Sequence, residues 1–109
     1  MQRQEYVHRL IEAYRKTPGT TGNAHRQDRR FAEQLYERQV PLTTVENALL
    51  LASARRLLRP DDTAPLELIR SLQYFRAVID EVMQSTMSHD YFLYLQRKIA
   101  ATYKTRTER

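Results

Sequence analysis

Apolar residues recur along this chain at helical spacing, separated by short polar breaks. Val7, Leu10, Ile11 and Tyr14 follow an i, i+3, i+4, i+7 pattern, which predicts a helix over 3–17. The break "TPGTTGN" at 17–23 holds Pro18 and both glycines, Gly19 and Gly22, and reads as the most flexible internal joint. Phe31, Ala32 and Leu35 give a narrower stripe, which predicts a second helix over 26–39 with Asp28 suited to its positive end. Pro41 should end that helix, because the residue before a proline avoids helical geometry.

The third segment differs in kind. From Val45 to Leu58 it is apolar on nearly every side, the mark of a helix buried at the centre of a fold. Thr43, followed three residues later by Glu46, reads as its capping box, and Arg59 as its end. "RPDDTAP" at 59–65 reads as a loop, with Pro65 opening a fourth helix that reaches residue 84. Leu68, Leu72, Phe75, Ile79, Val82 and Met83 are its expected apolar stripe. Ser88 is the expected N-cap of a fifth helix with Phe92, Leu95, Ile99 and Tyr103 on one side. No segment reads as a strand. The expected fold is all-α, a compact bundle of four to five helices with a helix-turn-helix-like central pair. One domain should span 1–104, with 105–109 a basic disordered tail.

Composition adds constraints. The 109 residues contain no cysteine, which excludes disulfides and thiolate metal sites and is compatible with the cytoplasm. No apolar run approaches the roughly 20 residues of a membrane span. Eighteen lysines and arginines against thirteen carboxylates give a net charge of +5. That charge suits an acidic partner such as nucleic acid, and equally suits simple solubility.

The placement of the arginines sharpens the choice. Arg55, Arg56 and Arg59 span about 100° of surface at the end of the third helix, where cations complement the negative helix end and can also grip phosphate. Arg26, Arg29 and Arg30 share a similar arc at the start of the second helix. Cations there oppose the positive helix end, so a reason other than helix stability is needed, and anion binding supplies one. In "HDYFLYLQRK", Tyr91 and Tyr94 stand beside Arg97 and Lys98, an arrangement that can stack bases, although aromatics at helical spacing are more often core. Phe92 is assigned to the core. Lys104 extends the basic end.

The second and third helices, joined by "QVPL", have the lengths of a helix-turn-helix. Thr44 and Asn47 are the polar residues near the start of the third helix that could reach bases. The rest of that helix is too apolar to lie openly in a groove, so a buried central helix with a basic end is favoured. Catalysis finds no support. His8, His25 and His89 stand in separate segments, Asp61 and Asp62 lack a partnering histidine, and "PGTTG" lacks the lysine of a phosphate-binding loop. No enzyme activity, metal or cofactor is expected.

Three pieces resemble a known family: "AEQLYER" before a break, "VENALLLASARR" ending in cations, and "IRSLQYFRAVIDEV" with its "YF..VI" element. Together they make residues 31–82 resemble the helical domain of DnaD-type primosomal proteins and related plasmid or phage replication proteins. The resemblance implies DNA binding and protein assembly in replication or a mobile element. The expectation is therefore a small cytoplasmic DNA-binding accessory protein, with DNA favoured over RNA. Its contacts would come from Arg26, Arg29, Arg30, Thr44, Asn47, Arg55, Arg56, Arg59, Arg97, Lys98 and Lys104. The alternative is a helical protein-interaction module, homo-oligomeric or a small subunit of a (ribo)nucleoprotein assembly.

Overall fold

The structure is a computed structural model that describes the backbone of residues 1–60, 63–85 and 87–107, and side chains as far as Thr102. It is an all-α bundle of five helices: α1 (Arg3–Lys16), α2 (Arg26–Glu37), α3 (Leu42–Leu57), α4 (Arg76–Gln84) and α5 (His89–Thr107). A 3₁₀ turn, Leu72–Phe75, leads into α4. Among the described residues the only extended pairing is a single parallel bridge between Thr20 and Ile69.

The helix that is apolar on nearly all sides is the central one. On α3, Leu42, Val45, Ala48, Leu49, Leu51, Ala52, Ser53 and Ala54 are buried, and neighbours cover it on several sides. α1 and α2 pack on each other, while α4 and α5 pack on α3. The larger apolar core joins α1, α2, α3 and the 3₁₀ turn to Ile79 of α4. A smaller one joins Leu51 and Ala54 of α3 to Phe92 and Leu95 of α5. Farther along α5, Gln96 and Ile99 line the same hollow as Glu46, Leu49 and Leu50. α5 therefore runs antiparallel to α3.

The turn between α2 and α3 is closed by backbone geometry rather than by its proline. Gln39 adopts φ 62°. Its N–H donates to Tyr36 O at 2.9 Å, and the Val40 N–H donates to Leu35 O at 3.0 Å. This is a Schellman motif, with Leu35 and Val40 buried beneath it. Tyr6 of α1 adds a hydrogen bond from its hydroxyl to Val40 O at 2.7 Å.

Several sequence expectations need correction. α3 begins at Leu42, so Thr43 does not cap it. The Pro41 carbonyl accepts the Thr44 and Val45 N–H groups instead, at 3.0 and 3.3 Å. This earlier start buries Leu42 and leaves Thr43 exposed. Pro65 does not open a helix, and α4 starts only at Arg76. Ile69 decides this. It donates its N–H to Gly19 O at 2.7 Å, and its carbonyl accepts the Thr21 N–H at 3.1 Å. That pairing buries Ile69 and leaves Leu68 56% exposed, outside the core it was assigned to. Met83 is exposed as well. Ser88 does receive the Tyr91 N–H on its hydroxyl at 3.2 Å, at the start of α5. α5 continues to Thr107, three residues into the segment expected as a tail, and Glu108 and Arg109 lie outside the described residues.

Candidate nucleic-acid interface

The start of α2 is organised by one buried carboxylate. Asp28 is only 2% exposed. Its Oδ2 accepts the His25 N–H at 2.8 Å, and its Oδ1 accepts the Leu72 N–H at 2.8 Å and the Ser71 hydroxyl at 3.3 Å. It therefore satisfies an open donor at the helix start and ties α2 to the 3₁₀ turn. Nearby Tyr14 has its hydroxyl pushed up from the ordinary tyrosine range, first by burial and then by the Asp28 charge. On the solvent side of this junction Arg26, Arg29 and Arg30 are all exposed. No hydrogen bond or ion pair occupies them among the described residues.

The end of α3 is built the other way round, from its own arginines. Arg55 makes a two-pronged pair with Glu81 of α4, at 2.9 and 2.6 Å. The Arg55 hydrogen bond holds the Glu81 carboxyl below its usual range. Arg56 donates to the Glu67 carbonyl at 2.8 Å and to the Tyr74 hydroxyl at 3.2 Å. Its guanidinium lies 5.7 Å from the centre of the Tyr74 ring. Gly19 makes room for it: a Cβ there would meet Arg56 Nε at 3.1 Å, and the φ of +90° independently favours glycine. Arg59, half-buried, is engaged by none of the described residues. Asp61 and Asp62, which follow Arg59 closely in the chain, lie outside the described residues.

The strip 67–72 links Asp28 at the start of α2 to Arg56 at the end of α3. Glu67 holds Arg56 at one end, and Ser71 and Leu72 hold Asp28 at the other. Five residues span at most roughly 18 Å, so the two anchor points fall within the reach of a short run of phosphates. The strip adds exposed Arg70, and exposed Arg76 follows the 3₁₀ turn with its guanidinium 5.1 Å from the centre of the Phe31 ring. Sequence reading missed Arg70, Arg76 and Tyr74, because it placed all three on a continuous helix beginning at Pro65. The only available signal was Ser71 before a short apolar run, a modest N-cap cue.

The other expected site residues stand apart. Thr44 and Asn47 are half-buried at the start of α3, about 18 and about 14 Å along its axis from Arg56. Antiparallel α5 carries Arg97 and Lys98 towards that same end, away from Arg56 and Arg59. Lys98 is occupied, donating to the Tyr94 hydroxyl at 3.3 Å. Tyr91 and Tyr94 are exposed with ring centres 6.4 Å apart, and Phe92 is core. The side chain of Lys104 lies outside those described.

Among the described residues no group of histidine or carboxylate side chains could hold a metal ion, and no helix is long and apolar enough to cross a membrane. Comparison with protein-family models, curated proteins and solved structures gives no match for this chain.

Proposed function

We propose that this chain is a small basic nucleic-acid-binding protein of the cytoplasm, with DNA the favoured partner, serving as an accessory of a replication or mobile-element complex. The assignment to replication rests on the resemblance of residues 31–82 to DnaD-type helical domains. The binding role rests on one observation: which arginines are paired. Carboxylates engage Arg3, Arg9, Arg15, Arg38 and Arg55, whereas Arg26, Arg29, Arg30, Arg56 and Arg59 have no acidic partner among the described residues. Arg26, Arg29 and Arg30 stand on the helix whose Asp28 bonds the strip 67–72, and Arg56 bonds the other end of that strip. The unoccupied donors of Arg26, Arg29, Arg30 and Arg59, with the uncompensated charge of Arg56, suit phosphate oxygens, which would give binding with little sequence preference.

The test is fluorescence anisotropy with a mixed-sequence duplex and its single strand at about 50 and 200 mM salt, a range over which phosphate contacts weaken markedly. Micromolar or tighter binding that weakens steeply with salt is expected. Replacing Arg26, Arg29 and Arg30 together by alanine should flatten the slope of log K against log salt by about 2 to 3. Absence of binding to both forms at the lower salt refutes the assignment.

A second reading, a protein-interaction module, draws on the exposed apolar side chains Leu66, Leu68, Tyr74 and Met83. Concentration-dependent sedimentation of the chain alone separates the self-associating version from the first reading.

A further inference from the structure

Tyr74 is half exposed, yet it sits beside three arginines on an apolar floor. Ala52, Val78, Tyr74, Arg55, Arg56 and Arg59 line a groove of about 330 Å³. We infer that this groove takes one unstacked nucleotide of a single-stranded nucleic acid, with the base against Tyr74 and the phosphate at Arg59 and Arg56. The inference rests on the nucleic-acid reading above and adds the form of the partner.

Four observations carry it. The first is size. The volume lies at the low end of the roughly 300–1,000 Å³ of small-ligand pockets, enough for one nucleotide and no more. The second is the pairing of surfaces. Ala52 and Val78 supply an apolar floor and Tyr74 an aromatic wall, the combination on which bases stack without regard to sequence. The third is charge. Glu81 answers Arg55, while Arg56 and Arg59 carry no ion pair among the described residues and face the groove with net positive charge. The fourth is fixed geometry. Tyr74 is held by Arg56 at its hydroxyl and packs edge-on against fully buried Phe75, with ring centres 5.1 Å apart. Arg56 is itself fixed by Glu67 and lies close over Gly19, where any side chain would crowd it. A wall and a cation already in place lose little freedom when a ligand binds.

Duplex DNA cannot use the groove, because its bases are stacked inside the helix and extracting one is costly. A single strand can, and exposed Arg70 and Arg76, on the same stretch of chain as Tyr74, offer further cations that a strand longer than one nucleotide could reach. Those cations favour a strand over a free nucleotide as the source.

The experiment compares a labelled twelve-residue oligothymidylate with a duplex of equal length, using the full chain and the variants Tyr74→Leu, Tyr74→Phe and Arg59→Gln. Tyr74→Leu should weaken single-strand binding about 5- to 100-fold, the range for losing one stacked base, and leave duplex binding within about twofold. Tyr74→Phe keeps the ring and should keep most of the affinity. Arg59→Gln, at a position with no protein partner to lose among the described residues, should weaken the single strand several-fold without unfolding the chain. Unchanged single-strand affinity in both Tyr74→Leu and Arg59→Gln overturns the groove, while salt-dependent duplex binding would leave the broader reading standing. Failure of both nucleic acids to bind removes both readings. Competition by thymidine monophosphate at micromolar concentration would keep the groove and overturn the single strand as its source.

Discussion

The start of α2 and the end of α3 present similar arginine clusters but are built on opposite plans. At α2 a single buried carboxylate does the structural work, and the arginines are left unoccupied. At α3 two of the three arginines are themselves structural: Arg55 joins α4, and Arg56 closes the strip 67–74 against the glycine loop. The difference shows that a basic cluster in a sequence does not reveal which of its members are free. It also separates stability from binding. Substitutions among the α2 arginines should affect binding alone, whereas at α3 Arg55 should act mainly on stability, Arg59 on binding and Arg56 on both.

The largest expected effect tests the α2 plan. Asp28→Ala removes a buried acceptor of three hydrogen bonds and strands the Leu72 and His25 N–H groups. The loss should be about 3 kcal/mol, since bonds to a charged acceptor contribute roughly 1.5–3 kcal/mol each and imperfect additivity trims the sum. Thermal unfolding followed by circular dichroism should show a fall of roughly 12–20 °C. A fall of only a few degrees would mean that Asp28 is not what organises this end.

The opposite end of α2 offers a pH-dependent comparison. Burial pushes the Tyr6 hydroxyl up to about 12 from the ordinary 10, while the hydroxyl donates to Val40 O. A group whose pKa is raised by folding binds its proton more tightly in the folded state. Its contribution is therefore complete below pH 10 and disappears as pH rises towards 12. About 2 kcal/mol should be lost across that window. Tyr6→Phe should have lower stability at neutral pH and a shallower decline above pH 10. Equal declines in the two proteins would assign the alkaline loss to other groups.

Much of this architecture was legible in the sequence, and what was not has a common cause. Apolar periodicity located α1, α2, α3 and α5 because each buries a stripe or a full circumference of its own residues. It failed between Pro65 and Phe75 because Leu68, Leu72 and Phe75 mimic a helical stripe while Ile69 makes a distant backbone pairing with Gly19 and Thr21. The six arginines at the two helix ends were legible as clusters. Their division into free and engaged members was not, because Glu81, Glu67 and Tyr74 reach them from 11 to 26 residues away. Asp28 was read as a favourable charge at a helix start, while its bonds to Ser71 and Leu72 span more than 40 residues.

Smaller effects should separate the α3 arginines from one another. Arg56→Ala removes two hydrogen bonds and the contact over Tyr74, and should cost about 1–2 kcal/mol. Arg55→Ala breaks an exposed ion pair and should cost less than about 1 kcal/mol. Denaturant titration gives both values. In duplex binding Arg55→Ala should change affinity by no more than about twofold, because Glu81 already offsets its charge. A larger loss of affinity for Arg55→Ala than for Arg56→Ala would reverse the roles given to these two residues.

The smallest effect is a gain, and it isolates α2 from its arginines. Gln39 holds φ 62°, a left-handed conformation in which a side chain crowds the neighbouring carbonyl at a cost of roughly 1 kcal/mol or more. Glycine has no such penalty, but it gives the unfolded chain more freedom, which offsets part of the gain. Gln39→Gly should therefore stabilise the protein by up to about 1 kcal/mol, seen as a higher denaturant midpoint with an unchanged slope. Gln39 is exposed, so no buried contact is lost with its side chain. The Schellman bonds to Leu35 and Tyr36 are backbone bonds and survive the change. Because this turn lies at the opposite end of α2 from Arg26, nucleic-acid affinity should stay the same while stability rises. A parallel change in affinity would mean that the far end of α2 communicates with the arginines at its start, and the separation of stability from binding at α2 would no longer hold.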